Sequence, residues 1–357
     1  MSLKQIAEKV GVSAATVSRI LNDPNHKCAD KDLRDKVFAA AHELNYVPNE
    51  AAKNLKMGKK SEEKVYLIDV LLTRNSSLEQ DEFFNEVYRA LEMEFNRKHC
   101  ILSGFFTEEC FSAEENVDFE KVHQEIDEMT TDRSEKSDGL IVLGKCNKSI
   151  LKLLNERYKA VVSINRNSTD YAVDEVICDG AHIANLAMNY LIKLGHRRIG
   201  YVGSCHHESR YTGYLQEMFR HNLEPLPEDT MEVRHIESEG YKAMQHFLKQ
   251  ENPPTAFYCA NDMVAIGMLK CLAKAKNKYY FPSIISSDDI EAAQFIKPML
   301  TTVRIDKEAM ARFATAILLD RIHGGHSESI SLKIDGKLMI RESCTRVDEV
   351  NSLDYVI

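Results

Sequence analysis

Short apolar segments alternate with amphipathic helical patterns from residue 65 to residue 347, and this alternation limits the possible folds more than any other feature. The segments expected to form strands are 65–72, 100–106, 139–143, 160–164, 175–178, 198–202, 230–235, 256–259 and 283–286. Helices such as 83–98, 180–194 and 262–276 are expected between them. Repeated β-α order predicts parallel, doubly wound sheets, and the length favours two of them. Because such sheets bind ligands at the carboxyl ends of their strands, the cleft between two similar lobes is the expected ligand site.

The first 22 residues predict two short helices joined by a tight turn. Apolar residues at helical spacing give each helix an inward face: Ile6, Ala7 and Val10 in the first, and Val17, Ile20 and Leu21 in the second. Gly11 permits the turn, and Ser13 is a natural N-cap for the second helix. The outward face of that helix then consists of Ala14, Ala15, Thr16, Ser18 and Arg19. Small residues, hydroxyls and one arginine suit close approach to a DNA groove, although an ordinary helical hairpin with solvated hydroxyls has the same pattern.

Residues 32–60 extend this head. Leu33, Val37 and Leu44, with Ala40 or Ala41, have the spacing of a third helix that closes a small core over the first two. A Pro-Asn pair at 48–49 then starts a short helix that ends at Gly58. The combined pattern, AxxxGVSxxTVSRxLN followed by LNYxPNxxAxxL and a basic linker, closely resembles the LacI/GalR family of bacterial repressors.

The resemblance implies a specific mode of DNA binding. In that family the second helix lies in the major groove, and a hinge helix, here about 49–57, inserts a leucine into the minor groove. The implied partner is double-stranded operator DNA, and the implied contact residues are Ala14, Ala15, Thr16, Ser18, Arg19, Asn22, Asn49, Ala52 and Leu55. Leu55 has a simpler alternative as a buried packing residue. Glu50 is a departure, because an acidic residue in this helix has to face away from the phosphates.

Charge separates the head from the rest of the chain. Residues 1–60 carry eleven Lys and Arg against seven Asp and Glu, a surplus of +4, whereas the whole chain has a net charge of −9. Residues 61–357 therefore carry −13, so only the head attracts nucleic acid. The surplus is modest, which predicts that two heads have to bind together.

Composition excludes several classes of protein. A chain of 357 residues that is 44% hydrophobic can bury a large core, and it has neither an apolar run of membrane-spanning length nor a signal peptide, which predicts a cytoplasmic protein without membrane contact. Nine scattered cysteines without a CxxC pair indicate reduced thiols and no metal site; Cys205-His206-His207 is the only local cluster. The sequence has neither a GxxxxGK[ST] loop nor a GxSxG elbow nor a paired-carboxylate constellation. We therefore expect no cofactor and no catalytic residue, and the chain is not expected to be an enzyme.

The family resemblance continues beyond the head. Its landmarks are residues 137–142, 163–166, 194–200, 210–214, 260–267, 286–290 and 300–303. They resemble the sugar-binding effector domain of LacI/GalR regulators, which is similar to periplasmic sugar-binding proteins, and are closest to regulators of β-galactoside and galactose operons. The implied organisation is a DNA-binding domain (1–59), a linker (60–64), an effector domain (65–347) and a tail (348–357). Within the effector domain, the N-lobe is expected at about 65–164 and 303–328, and the C-lobe at about 166–300 and 331–346.

The resemblance also implies which residues hold the effector: Phe84, Lys145, Asn165, Arg210, His235, Asn261 and Asp288. Carboxylates, amides and one arginine suit sugar hydroxyls, and an aromatic ring suits the face of the sugar. Asn165 stands where many relatives carry an aspartate, so the accepted sugar is expected to depend on it. Each assignment has a simpler alternative: a cap or salt bridge for Arg210, a helix cap for Asn261, and packing for His235.

The sequence therefore predicts a homodimeric repressor of a carbohydrate operon that a galactose-like sugar releases from its operator. A co-repressor that promotes DNA binding is the alternative within the same fold. A sugar-binding transport receptor is a further alternative, which the intact head and the missing export signal oppose. The tail at 348–357 is too short for the leucine heptads that tetramers in this family use, so the dimer is not expected to tetramerise.

Overall fold

The computed structural model describes residues 3–22, 33, 36, 37, 40, 64–73, 81–131, 136–275 and 280–347. The chain divides into two compact units, Met1–Lys64 and Val65–Ile357. The expected hinge helix, with Asn49, Ala52 and Leu55, lies outside the described residues, as does the tail at 348–357.

The N-terminal unit contains helix α1 (Leu3–Val10) and helix α2 (Ala14–Asn22). Gly11 has a φ of +73° in the turn between them, and the Ser13 hydroxyl accepts a hydrogen bond from the Thr16 backbone N–H (3.1 Å), which confirms the predicted cap. The buried core of this unit consists of Ile6, Ala7, Val17, Ile20, Val37 and Ala40. The last two are helical, as the third-helix pattern predicts, whereas Leu44 and the side chain of Leu21 lie outside the described part of the chain.

The first lobe of the larger unit is built on a parallel sheet with the strand order β2-β1-β3-β4-β5-β11. Its strands are β1 (Tyr66–Leu72), β2 (Cys100–Thr107), β3 (Gly139–Leu143), β4 (Val161–Asn165), β5 (Asp174–Cys178) and β11 (Ser331–Ile334). Its helices are α3 (Glu82–Arg97), α4 (Phe119–Thr131), α5 (Lys148–Arg157) and α10 (Lys307–Ile322). Alternate strand residues serve two cores: Ile68 and Val70 face the side of α3 and α10, and Leu71 faces α4 and α5.

The second lobe repeats this architecture with the order β7-β6-β8-β9-β10-β12, in which only β12 is antiparallel to its neighbour. Its strands are β6 (Ile199–Gly203), β7 (Thr230–Glu232), β8 (Ala256–Cys259), β9 (Ser283–Asp288), β10 (Thr301–Arg304) and β12 (Lys337–Met339). Its helices are α6 (Gly180–Lys193), α7 (Ser209–Arg220), α8 (Glu237–Phe247) and α9 (Asp262–Ala275). A Cβ added at Gly240 of α8 would lie 2.0 Å from the Val264 carbonyl oxygen, so a glycine is required where α8 meets α9.

The expected division between the lobes was wrong at three strands. Strands β5 and β11 lie in ranges that the sequence assigned to the C-lobe, but they belong to the first sheet. Strand β10 contains residue 303, where the chain was expected to return to the N-lobe, but all of β10 belongs to the second sheet. The physical reason is that β5 is buried along its whole length beside β4. A fully buried strand shows the same apolar run in either sheet, so its local sequence does not reveal its partner.

The chain passes between the lobes three times, after β5, between β10 and α10, and between β11 and β12. These crossings leave the carboxyl ends of β4 and β9 close together. The contact between Arg166, just after β4, and Asp288, at the end of β9, shows this. The cleft predicted from the β-α order is therefore present.

Candidate functional site

A cavity of about 150 Å³ lies between the two lobes, at the carboxyl ends of the strands. Its lining is polar throughout: Ser112, Lys145, Asn165, Arg166, Asn167, Ser204, His206, His207, Glu208 and Arg210. Such a lining offers many hydrogen-bond donors and acceptors, as a polyhydroxyl ligand requires.

The wall from the first lobe is formed by residues that follow β3 and β4. Lys145 lies beyond β3, where its ammonium group pairs with Glu114 (Nζ to Oε1, 2.8 Å). Asn165 ends β4, and its side-chain oxygen accepts from the Arg166 backbone N–H (2.7 Å). The loop after β4 is therefore held by its own first side chain, and Arg166 and Asn167 follow in the lining.

The wall from the second lobe is formed where β6 leads into α7. Glu208 is the N-cap of α7 and accepts from the Arg210 backbone N–H (3.2 Å). The same carboxylate receives two bonds from the Arg210 guanidinium, Nε to Oε1 and Nη2 to Oε2, both at 2.8 Å. Arg210 also donates to the Ala260 carbonyl and has no exposed surface. This fork is the bidentate geometry in which an arginine binds a carboxylate most strongly.

Asp288 lies beside the cavity rather than in its wall, because the Arg166 side chain covers it. The Arg166 Nη2 donates to Asp288 Oδ1 at 2.6 Å, and both side chains are buried. Burial raises the pKa of the Asp288 carboxyl, although the charges of Arg166, Arg210 and Lys307 act to lower it.

Asn261 and His235 position the second wall from behind. Asn261 caps α9 through its side-chain oxygen, which accepts from the Val264 backbone N–H (3.1 Å), and its amide nitrogen donates to the His235 carbonyl (3.1 Å). The His235 Nε2 in turn accepts from the Ser204 backbone N–H (3.1 Å), and Ser204 lines the cavity.

Asp262, next to Asn261, belongs to the core of the second lobe. Its carboxylate accepts from the Ser286 and Thr302 hydroxyls, both at 2.6 Å, and from the Ile290 backbone N–H (2.8 Å). Burial and the nearby Asp288 charge raise the pKa of Asp262 to about 7. Three donors on a fully buried carboxylate tie the ends of β9 and β10 to α9.

The structure brings three of the expected effector residues into the cavity wall, namely Lys145, Asn165 and Arg210. It places Phe84, His235, Asn261 and Asp288 one contact behind the wall. Phe84 is buried in edge contact with Phe83 (5.1 Å between ring centroids), so it presents no open face for a sugar ring. The sequence reasoning missed the other lining residues as effector contacts: Ser112, Arg166, Asn167, Ser204, His206, His207 and Glu208. The signal that points to most of them is position, since Arg166 and Asn167 directly follow β4, and the loop between β6 and α7 contains Ser204, His206, His207 and Glu208.

The outward face of α2 in the head agrees only in part with the expected DNA-contact surface. Arg19 is exposed, as a base-reading arginine requires. Thr16 is half-buried, and its hydroxyl lies 2.9 Å from that of Ser13. Ala14, expected to face outward, is partly buried and packs against the core of the head. The side chains of Ala15, Ser18 and Asn22 lie outside the described part of the chain.

Two further observations concern other kinds of site. Among the described residues, no group of three or more His, Cys, Asp or Glu side chains is arranged to hold a metal ion. In the same part of the chain, no helix is both long enough and apolar enough to cross a membrane.

Comparison with known proteins agrees with this architecture in two parts of the chain. Residues 2–49 match the model of the bacterial regulatory proteins of the lacI family, and residues 188–344 match the periplasmic binding protein-like domain. The chain is 31% identical to the HTH-type transcriptional repressor CytR of Escherichia coli K12, over 96% of each chain. It is 29% identical to the HTH-type transcriptional repressor MelR of Bacillus subtilis 168, over 96% of this chain and 97% of that protein.

Solved structures show the same fold. A transcriptional regulator CelR–cellobiose complex covers 96% of this chain and all of its own, with 20% identity and a TM-score of 0.66. The lac repressor dimer bound to operator and the anti-inducer ONPF covers 97% of this chain and 99% of its own, with 22% identity and a TM-score of 0.64.

The head and the two-lobed body together define a class of DNA-binding regulator with a periplasmic binding protein-like domain. The chain belongs to the LacI family, and it is a DNA-binding transcriptional repressor rather than an enzyme.

Proposed function

We propose that the chain represses a carbohydrate-utilisation operon in the cytoplasm, and that an uncharged, galactose-like sugar in the cavity releases it from its operator. The observation that carries the proposal is the polar cavity between the lobes, whose wall combines amide, hydroxyl and charged groups. These groups suit several hydroxyls on one small ligand.

The charges of the wall support an uncharged ligand. Each cationic side chain already has a carboxylate partner: Lys145 with Glu114 at 2.8 Å, Arg166 with Asp288 at 2.6 Å, and Arg210 with Glu208 at 2.8 Å. An anionic effector would have to displace one of these carboxylates or be buried beside it, which is unfavourable. A neutral sugar brings no charge that has to be balanced, because its hydroxyls donate to the carboxylates and accept from the cations.

The lining also weighs against a planar purine co-repressor, even though relatives named PurR share 29% identity with the chain. Among the described lining residues, the rings are those of His206 and His207 only. Phe83 and Phe84 are buried, and the Arg166 guanidinium lies 4.1 and 5.9 Å from the centroids of their rings. Without an aromatic platform the cavity favours hydroxyl recognition over base stacking.

The DNA-binding half of the proposal rests on the head. One exposed arginine on α2 reads few bases, so we propose a homodimer in which two heads read the half-sites of a near-palindrome. The hinge helix with Leu55 as a minor-groove wedge remains part of this proposal.

Calorimetry on the full-length protein tests the effector class. Galactose, methyl β-D-galactoside and lactose are compared with hypoxanthine and cytidine as titrants. We expect saturable binding of at least one of the three sugars and no binding of hypoxanthine or cytidine. Binding of hypoxanthine or cytidine without any galactoside would replace the sugar effector by a base-containing one.

A further inference from the structure

One buried ion pair joins the two lobes directly across the cleft. Arg166 follows β4 of the first lobe, and Asp288 ends β9 of the second. Their side chains are only 4% and 2% exposed, and Nη2 lies 2.6 Å from Oδ1. A charge pair that is this well shielded from water resists screening by salt, so it holds the two lobes together whenever it is formed.

Arg166 is held in this position by a second contact, yet its hydrogen bonding is incomplete. The centre of its guanidinium lies 4.1 Å from the centroid of the Phe83 ring on α3. Its Nε is buried and has no hydrogen-bond partner within the described part of the chain. Buried donors are nearly always paired in a native structure, so this N–H is a donor that an acceptor in the cavity can satisfy.

Asp288 is strained at the same place. It has a φ of +123°, and Asp289 has a φ of +50°, which are unusual for residues with a side chain. The turn is held by Lys307, whose ammonium group donates to the Asp288 carbonyl (2.7 Å) and pairs with Glu86 of the first lobe (2.8 Å). The Asp288 carboxylate is thus presented at a fixed point of the cleft that faces both lobes.

We propose that Arg166 is an internal competitor of the effector: it occupies Asp288 and closes the cleft while the cavity is empty, and effector hydroxyls replace it on binding. This inference rests on the proposed function, because it assigns Asp288 to the effector. Arg166 then determines how tightly a given sugar binds, since every sugar has to break the same ion pair first.

Two interlobe hydrogen bonds near the pair report on closure. The Ser209 backbone N–H donates to Asn167 Oδ1 (3.2 Å), and the Glu291 backbone N–H donates to Glu86 Oε1 (2.9 Å). Both donors lie in the second lobe and both acceptors in the first. Opening of the cleft breaks these bonds, so the two amides exchange faster with solvent deuterium.

Hydrogen–deuterium exchange of the full-length, effector-free protein tests the inference with the variants Arg166→Gln and Arg341→Gln. The second is the matched control, because Arg341 pairs with the neighbouring Asp289 (2.5 Å) entirely within the second lobe. We expect Arg166→Gln to speed exchange about tenfold in peptides that contain Ser209 and Glu291, with Arg341→Gln like the wild type. Unchanged exchange within β1 and β6 shows that the variants are folded.

Calorimetry with methyl β-D-galactoside supplies the second arm. A latch that protects the amides tenfold also weakens sugar binding tenfold, so the gain in affinity of Arg166→Gln has to match its gain in exchange. Wild-type exchange rates in Arg166→Gln, or equal acceleration by Arg341→Gln, overturn the proposal. Faster exchange with unchanged galactoside affinity also overturns it. Absence of galactoside binding to the wild type and to both variants counts against the proposed sugar, while the exchange rates still decide whether Arg166 closes the cleft.

Discussion

Replacing Arg210 by alanine should lower the stability of the larger unit, and this effect has to be separated from any effect on effector binding. The guanidinium makes two bonds of 2.8 Å to Glu208 and one to a carbonyl, in a site without exposed surface. Loss of the guanidinium leaves the buried Glu208 carboxylate without its two charge-assisted hydrogen bonds, which costs about 3–5 kcal/mol. Since a whole domain is stable by only about 5–15 kcal/mol, Arg210→Ala is expected to lower its stability severely.

Removing both charges separates this effect from effector binding. In the double variant Arg210→Met/Glu208→Gln neither buried charge remains, and the main loss is the weaker cap of α7, about 1 kcal/mol. We therefore expect about 2–4 kcal/mol of stability to return relative to Arg210→Ala. Urea unfolding followed by far-ultraviolet circular dichroism measures both values, which suits a chain without tryptophan.

Two results would refute this reasoning. If Arg210→Ala loses less than about 1 kcal/mol, the buried pair is not structural. If the double variant is as unstable as Arg210→Ala, the buried Glu208 charge is not the cause. Calorimetry on the stable double variant then shows whether the Arg210–Glu208 pair contributes to the sugar site, and we expect galactoside binding to be lost.

The remaining predictions concern the head, the cavity charge and pH. Arg19→Ala should weaken operator binding by about 1–3 kcal/mol and relax the preference at one base pair; equal losses on random DNA in fluorescence anisotropy would show a phosphate contact instead. Glu114→Gln frees the Lys145 ammonium, so calorimetry should find about tenfold tighter binding of inorganic phosphate than in the wild type, and equal affinities would mean that the wall cations are already available. Burial lowers the pKa of His326, but hydrogen bonds to two carboxylates, Asp174 among them, outweigh this and raise it. The stabilisation that protonated His326 contributes is therefore complete below a pH of about 6.5, and it is lost as the pH rises through the raised pKa of His326. The melting temperatures of the wild type and His326→Gln should accordingly converge from pH 6 to about pH 9. A difference that stays constant with pH would show that the His326 pKa is not raised.

Nine of the twelve strands in the described part of the chain, β1 to β9, follow from the sequence, because a buried strand is a short apolar run with turn signals beside it. Strands β10, β11 and β12 were not predicted. Strand β3 (Gly139–Leu143) and strand β8 (Ala256–Cys259) have the predicted bounds. Which sheet a strand joins is a long-range property. Strand β5 pairs with β4, and β11 pairs with β5 across more than 150 residues of chain, and nothing local encodes either choice.

The candidate site, like the fold, could be predicted in its local features but not in its long-range contacts. Strand ends and the family resemblance located Lys145, Asn165 and Arg210 in one cavity. Neither indicated that Arg166 would cover Asp288, because this contact joins residues 122 positions apart on different lobes. It depends on the relative position of two sheets, which is set by packing and by the three crossings.

The response of the protein–DNA complex to sugar tests the central claim most directly. A near-palindromic duplex selected by binding to the full-length protein is labelled with a fluorophore, and its anisotropy is followed while methyl β-D-galactoside is added. We expect the anisotropy to fall to that of free DNA, with the midpoint at the sugar affinity measured by calorimetry, because sugar binding releases the operator. Tighter DNA binding at saturating galactoside, or a complex that the bound sugar leaves unchanged, would contradict the account.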